Sequence, residues 1–193
     1  MRKSWSMDSY GDSTVMASEL HVDAIKHSGG TSALTIDTNG LVKSNNYLFK
    51  AYYTQSGAWT AGAGTGGAFR FNNTELNQGF DLTNINGTGL IYAPVTGTYF
   101  ISARFLVDSS ASAGNAYVTI QKNYTGSTAS QANNFMATAY PYITASQYGD
   151  VNISTLVYLT TSDYFIIRKA DSLPYYGDTA HYRYHQVSAY LVG

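Results

Sequence analysis

One stretch, Thr98 to Val107, constrains this chain more than any other. Side chains alternate across a strand with a period of two. Tyr99, Ile101, Ala103, Phe105 and Val107 then share one face, and Phe100 and Leu106 lie on the other. A strand wetted on one side alternates apolar with polar. Apolar residues on both sides mean that both faces are covered. A loop laid over the strand would do this, and so would another chain.

The rest of the 193 residues reads in the same way. Short runs rich in Val, Ile, Thr, Tyr and Phe alternate with Gly, Asn, Ser and Asp, the pattern of a sandwich or barrel. Met16 to Ile25 is the nearest approach to a helical repeat, and its β-branched residues weaken it. Strands are predicted near 46–54, 68–72, 87–92, 97–107, 115–123, 131–139, 151–160, 163–169 and 182–192. Long loops fall at 55–67, 108–114, 140–150 and 170–181. Residues 1–45 differ from the remainder. Two short alternating strands flank Gly29-Gly30, and a second turn follows at Asn39-Gly40. Strands this short need partners from elsewhere. The predicted organisation is an attachment segment, 1–45, and a β domain, 46–193.

Composition narrows the function. Charged residues are 12 % of the chain and the formal net charge is −1, which gives no electrostatic footprint for nucleic acid. No run is long enough for membrane insertion. The segment Met1 to Asp8 has no apolar stretch and makes a poor signal peptide. There is no cysteine, which fits assembly in a reducing cytosol. The 18 tyrosines suit either strand packing or a recognition surface.

Motifs for chemistry are weak. Gly62-Ala63-Gly64-Thr65-Gly66-Gly67 matches a dinucleotide pattern by letter, but a strand follows where a helix is needed. His181 and His185 would lie about 13 Å apart on a strand, too far for one zinc. The only glutamates, Glu19 and Glu75, form no acid–base pair of the kind glycoside cleavage requires. Nothing resembles a nucleophile with its base, so no enzymatic activity and no cofactor are expected. Asp108, Asp150, Asp171 and Asp178 fall in or next to loops and would suit calcium if they converged. The plainer reading is solvated turn aspartates.

Four segments carry a resemblance. They are Asn77-Gln78-Gly79-Phe80, then Ala93-Pro94 with Gly97-Thr98-Tyr99-Phe100-Ile101, then Leu159-Thr160-Thr161-Ser162-Asp163, and last Val187-Ser188-Ala189-Tyr190-Leu191-Val192. In this order they resemble the C1q/tumour-necrosis-factor-like (C1q/TNF-like) family over roughly residues 46–193. Ser162 stands where the family has Gly, and Val187 and Ala189 also depart from its pattern. The resemblance implies an all-β jelly-roll sandwich that assembles as a homotrimer. The second face of the inner sheet would then line the three-fold axis through Phe100, Leu106, Leu156, Tyr158, Val187, Ala189 and Leu191. Both chain ends would lie at the base, and the four long loops at the apex. An apex so built carries Trp59, Tyr140, Tyr142, Tyr148, Tyr175 and Tyr176 as candidate receptor-binding rings.

The segment Leu20-His21-Val22-Asp23-Ala24-Ile25, followed by Gly29 to Asp37, resembles fibre and structural proteins of tailed phages, cyanophage types included. No collagen-like Gly-x-y stalk accompanies it. The expected role is therefore a non-enzymatic virion protein made in the host cytoplasm. It would dock to other virion proteins through residues 1–45 and present a trimeric knob to a host glycan or protein. A capsid or tail decoration protein without a receptor is the alternative. A glycan-degrading tailspike or a secreted bacterial adhesin stands further off.

Overall fold

The computed structural model describes residues 24–26, 32–36, 42–44, 47–54, 67–124, 134–177 and 184–192. The chain divides into two compact units, Met1–Asn45 and Asn46–Gly193. In the first, β1 (Ala24–Lys26), β2 (Ser32–Ile36) and β3 (Val42–Ser44) form an antiparallel three-stranded sheet in that order. Ile25 lies opposite Leu34, and Ile36 opposite Val42. β3 is a strand beyond the two expected here.

The second unit is all β. In chain order its strands are β4 (Leu48–Tyr52), β5 (Asn73–Gln78), β6 (Ile91–Tyr92), β7 (Gly97–Val107), β8 (Gly114–Asn115), β9 (Val118–Lys122), β10 (Phe135–Ala139), β11 (Tyr142–Ile143), β12 (Gly149–Leu159), β13 (Tyr164–Lys169) and β14 (Gln186–Leu191). An antiparallel five-stranded sheet runs β12-β7-β14-β4-β5. A four-stranded sheet, β10-β9-β13-β6, faces it, and β11 pairs with β8 at one end.

The core lies between the two larger sheets. From β7 it takes Tyr99, Ile101, Ala103, Phe105 and Val107, all buried, as the period-two pattern requires. Ile120 and Ile167 come from the facing sheet. Aromatic rings dominate the filling. Phe69 stacks on Phe105 at 3.8 Å between centroids, and Phe80 meets Tyr99 edge-on at 5.7 Å. Such pairs add to the large apolar area that each ring removes from water. The Tyr99 hydroxyl donates to the Val95 carbonyl at 2.6 Å, so its polar tip is satisfied inside the core.

Two of the quoted motifs have clear structural causes. Asn77 closes its turn twice: its side-chain amide donates to the Phe80 carbonyl, and its oxygen accepts from the Phe80 N–H. Gly79 sits at φ +84°, and a Cβ there would lie 2.5 Å from the Tyr47 ring, so the third residue must be glycine. In the second motif the Thr160 N–H donates to Asp163 Oδ2 at 2.7 Å, and the Asp163 N–H returns to the Thr160 carbonyl. Lys122 Nζ adds an ion pair at 2.8 Å. Burial alone would raise the Asp163 pKa, but these donors and Asn123 hold it far below the carboxylate range.

Some expected strands differ. The run 68–72 makes no regular strand. The Phe69 N–H bonds to the Ile167 carbonyl and the Phe71 N–H to the Ile85 carbonyl, so the chain changes partners while burying both rings. The strand begins afterwards, as β5, in Asn73-Thr74-Glu75-Leu76-Asn77-Gln78. This is a sheet edge with mostly exposed polar side chains, and so carries no apolar period. The run 87–92 shortens to β6 because Asn84–Thr88 closes a turn.

Candidate functional site

The outer face of the five-stranded sheet is read directly from register, because residues opposite each other share a face. One row runs Leu156, Phe100, Tyr190 and Leu48 across β12, β7, β14 and β4. The next holds Ser154, Ser102, Ser188 and Lys50, and the next Asn152, Arg104, Gln186 and Tyr52. Tyr158 lies opposite Thr98 at one end, and Leu106 opposite Asp150 at the other. Leu156, Tyr158 and Tyr190 are 61 %, 59 % and 47 % exposed, and Phe100 and Leu106 are half-buried. Phe100 and Tyr190 touch at 5.3 Å between centroids.

Three of the expected interface residues lie on the other face. Val187 is opposite Ala103, Ala189 opposite Ile101, and Leu191 opposite Tyr99, all core-facing residues of β7. Val187 and Ala189 are buried in the core, and Leu191 packs against it. The outward residues of β14 are Gln186, Ser188 and Tyr190. Sequence reasoning missed Tyr190, which the register against Phe100 would have found.

Charge borders this face in a paired form. Arg104 holds Asp150 through both carboxylate oxygens, with Nη2 to Oδ2 at 2.8 Å, and Lys50 meets Glu75 at 2.8 Å. Each pair is substantially exposed and so contributes little to stability.

The loops after β7, before β12 and after β13 meet at one end of the sandwich. The Asp108 N–H donates to the Pro174 carbonyl, the Ser146 N–H to the Ala111 carbonyl, and the Tyr176 N–H to the Leu106 carbonyl. Tyr140, Tyr142 and Tyr148 are 61 %, 66 % and 57 % exposed there. Tyr148 and Tyr176 meet edge to face, as do Tyr176 and Tyr184.

Tyr175, expected as an exposed ring, is fully buried. It bridges to Val107, packs edge-on against Phe69 and Phe105, and donates its hydroxyl to Asp171 Oδ2 at 2.9 Å. Two adjacent tyrosines in an extended segment point opposite ways, so only Tyr176 faces outward. Burial, and then the Asp171 charge, pushes the Tyr175 pKa up. Trp59 lies outside the described residues.

The aspartates proposed for calcium do not gather. Asp108 accepts from the Ser110 N–H, Asp150 is held by Arg104, and Asp171 takes bonds from the Tyr117 and Leu173 N–H groups. Asp178 lies outside the described residues. Among the described residues no three acidic or histidine side chains stand close enough to hold a metal. His185 is buried beside Phe105, its Nε2 bonded to the Tyr176 carbonyl. Burial pushes its pKa down to about 4, against the opposing effect of that carbonyl.

No family model and no curated protein matches the sequence. Solved structures match the fold. The globular domain of zebrafish complement 1qA protein aligns with a TM-score of 0.54 at 12 % identity, covering 76 % of this chain and 98 % of that one. Murine APRIL aligns with a TM-score of 0.55 at 6 % identity, covering 76 % and 99 %. Eiger TNF from S. frugiperda gives 0.56 at 6 % identity, covering 77 % and 93 %. The fold is a C1q/TNF-like jelly roll. Within this jelly roll the five-stranded sheet is the one containing both the first strand, β4, and the last, β14.

Proposed function

We propose that the chain is a non-enzymatic structural protein of a tailed-phage particle, a trimeric fibre or knob whose loop end meets the host surface. The observation that carries the reading is the row Leu156, Phe100 and Tyr190, apolar or aromatic and set on the outer face of a C1q/TNF-like sandwich. Copies of the same chain around a three-fold axis cover such a row. The serines beside it let three sheets approach closely. Arg104 and Asp150 satisfy each other within one chain, so they border the axis without adding an unpaired charge. Residues 1–45 attach the domain to other virion proteins, and the loop end recognises a host glycan or protein.

Two further observations support parts of the reading. Asp150, Asp163 and Asp171 are each engaged by a cation, so none is a free carboxylate of the kind glycoside cleavage needs. For these three, that weighs against the carboxylate role of a glycan-degrading tailspike. The edge-to-face contacts of Tyr148, Tyr176 and Tyr184 favour a second reading, a decoration protein whose loop rings only stiffen one another. The architecture is tested by light scattering on the purified chain at micromolar concentration. Three chain masses are expected, and a clean monomer removes the trimeric knob.

A further inference from the structure

A cleft of about 420 Å³ opens at the loop end, beside β8. Ser112, Asn115, Tyr117, Tyr140, Asp171 and Ser172 line it. Three backbone segments are tied together around it. The Ala116 N–H donates to the Pro141 carbonyl, the Ala170 N–H to the Tyr117 carbonyl, and the Tyr117 N–H to Asp171 Oδ2 at 2.7 Å. The cleft is therefore formed before any ligand arrives, which lowers the ordering cost of binding.

Its chemistry selects a ligand class. Tyr140 stands at right angles to Tyr117, with centroids 5.4 Å apart, and leaves its own ring 61 % exposed. Asn115 Nδ2 donates to the Tyr140 hydroxyl at 3.3 Å and so fixes the ring from the side. The hydroxyl-bearing Ser112 and Ser172 are both exposed. The one carboxylate, Asp171, is spent inward on the Tyr117 N–H, the Leu173 N–H and the Tyr175 hydroxyl, with Lys169 Nζ 3.7 Å away. Its charge is matched by that lysine, so the cleft attracts neither anions nor cations. What remains is one flat ring, hydroxyls and an amide.

We infer that this cleft binds a single neutral sugar unit, its apolar ring face against Tyr140 and its hydroxyls toward Asn115, Ser112 and Ser172. The inference rests on the reading of the loop end as a recognition surface and names what that surface recognises. The cleft binds without cleaving, because its lone carboxylate has no acceptor to spare and no partner carboxylate.

The test is saturation-transfer NMR on the full chain with glucose, galactose and mannose at millimolar concentration, run alongside host-cell adsorption by particles. Transfer from at least one hexose is expected. Tyr140→Ala should weaken it about tenfold, the worth of one aromatic contact. Ser112→Trp, which fills the cleft from an exposed position, should abolish it. No transfer from any of the three, or transfer that both variants leave intact, overturns the sugar site. If adsorption falls in the Tyr140→Ala and Ser112→Trp particles while no hexose signal exists, the recognition surface stands and the sugar assignment falls. If the hexose signal behaves as expected while adsorption is untouched in both, the site stands and the recognition role falls.

Discussion

His185 is the residue whose charge the fold resists most plainly. It sits between Phe105 and Tyr175 with its Nε2 on the Tyr176 carbonyl, at the point where β14 begins. Burial lowers its pKa from 6.5 to about 4. A neutral ring is therefore kept in the folded chain at a pH where the unfolded chain has already taken up a proton. Stability is full above 6.5 and falls as pH drops toward 4, by about 3 kcal/mol for this group when the interval is complete. Urea unfolding at pH 7 and pH 4.5 measures the loss. His185→Gln, which takes no proton, should lose less over the same interval. An equal loss in both would assign the acid sensitivity to other groups. Sequence alone places His185 within the run predicted as a strand near 182–192 and does not show its burial. Its burial follows from the loop 170–177 folding back over β7, a contact between residues about 70 positions apart in the chain.

At the scale of elements, the faces of β14 decide what a substitution does. Val187 points into the core and Phe100 points away from it, although both are apolar residues of the same sheet. An aspartate at Val187 places an unpaired charge among Ala51, Ala103 and their neighbours, at a cost of several kcal/mol. Val187→Asp should therefore fail to fold, seen as lost near-ultraviolet circular dichroism. Phe100→Asp should keep that signal and lose only association in light scattering. The opposite pairing of outcomes would reverse the faces. The long strands β7 and β12 are legible in the sequence because eleven residues each keep the period of two through a buried face. β14 is less so: Val187, Ala189 and Leu191 are apolar, but Tyr190 is amphipathic and fits either side, so only pairing with β7 fixes which set faces inward. β5 is illegible because an edge strand with solvated side chains has no pattern to show. The cleft residues Asn115 and Tyr117 went unseen for a similar reason. Asn115 ends a two-residue strand, β8, whose partner lies beyond β10, and Tyr117 follows just after it.

For the whole molecule, the sandwich unit closes on itself. Its first strand pairs with its last along their lengths, from Leu48 opposite Tyr190 to Tyr52 opposite Gln186. The unit Asn46–Gly193 holds its own core. A chain lacking residues 1–45 should then fold and keep the oligomeric state of the full chain, but should no longer enter particles. Sedimentation and a particle-incorporation assay check the two halves of that expectation. Loading of the shortened chain onto particles would place the attachment surface within the sandwich. Turn spacing and alternation read as a sandwich or a barrel, and the two-sheet jelly roll is implied only by the family resemblance. The meeting of the loops after β7 and β13 is expected only through the family resemblance, because it depends on hydrogen bonds that no local pattern encodes.

The antiparallel pairing of β4 with β14 has a mechanical meaning. The start of β4, at Leu48, lies toward one pole, and the loop end lies at the other. A load pulling between them runs along β4. The β4–β14 hydrogen bonds stand across that direction, so they are strained in shear and must yield together rather than one after another. A domain tethered at its entry and held at its far loops would resist tugging far better than one whose end strands could be peeled apart.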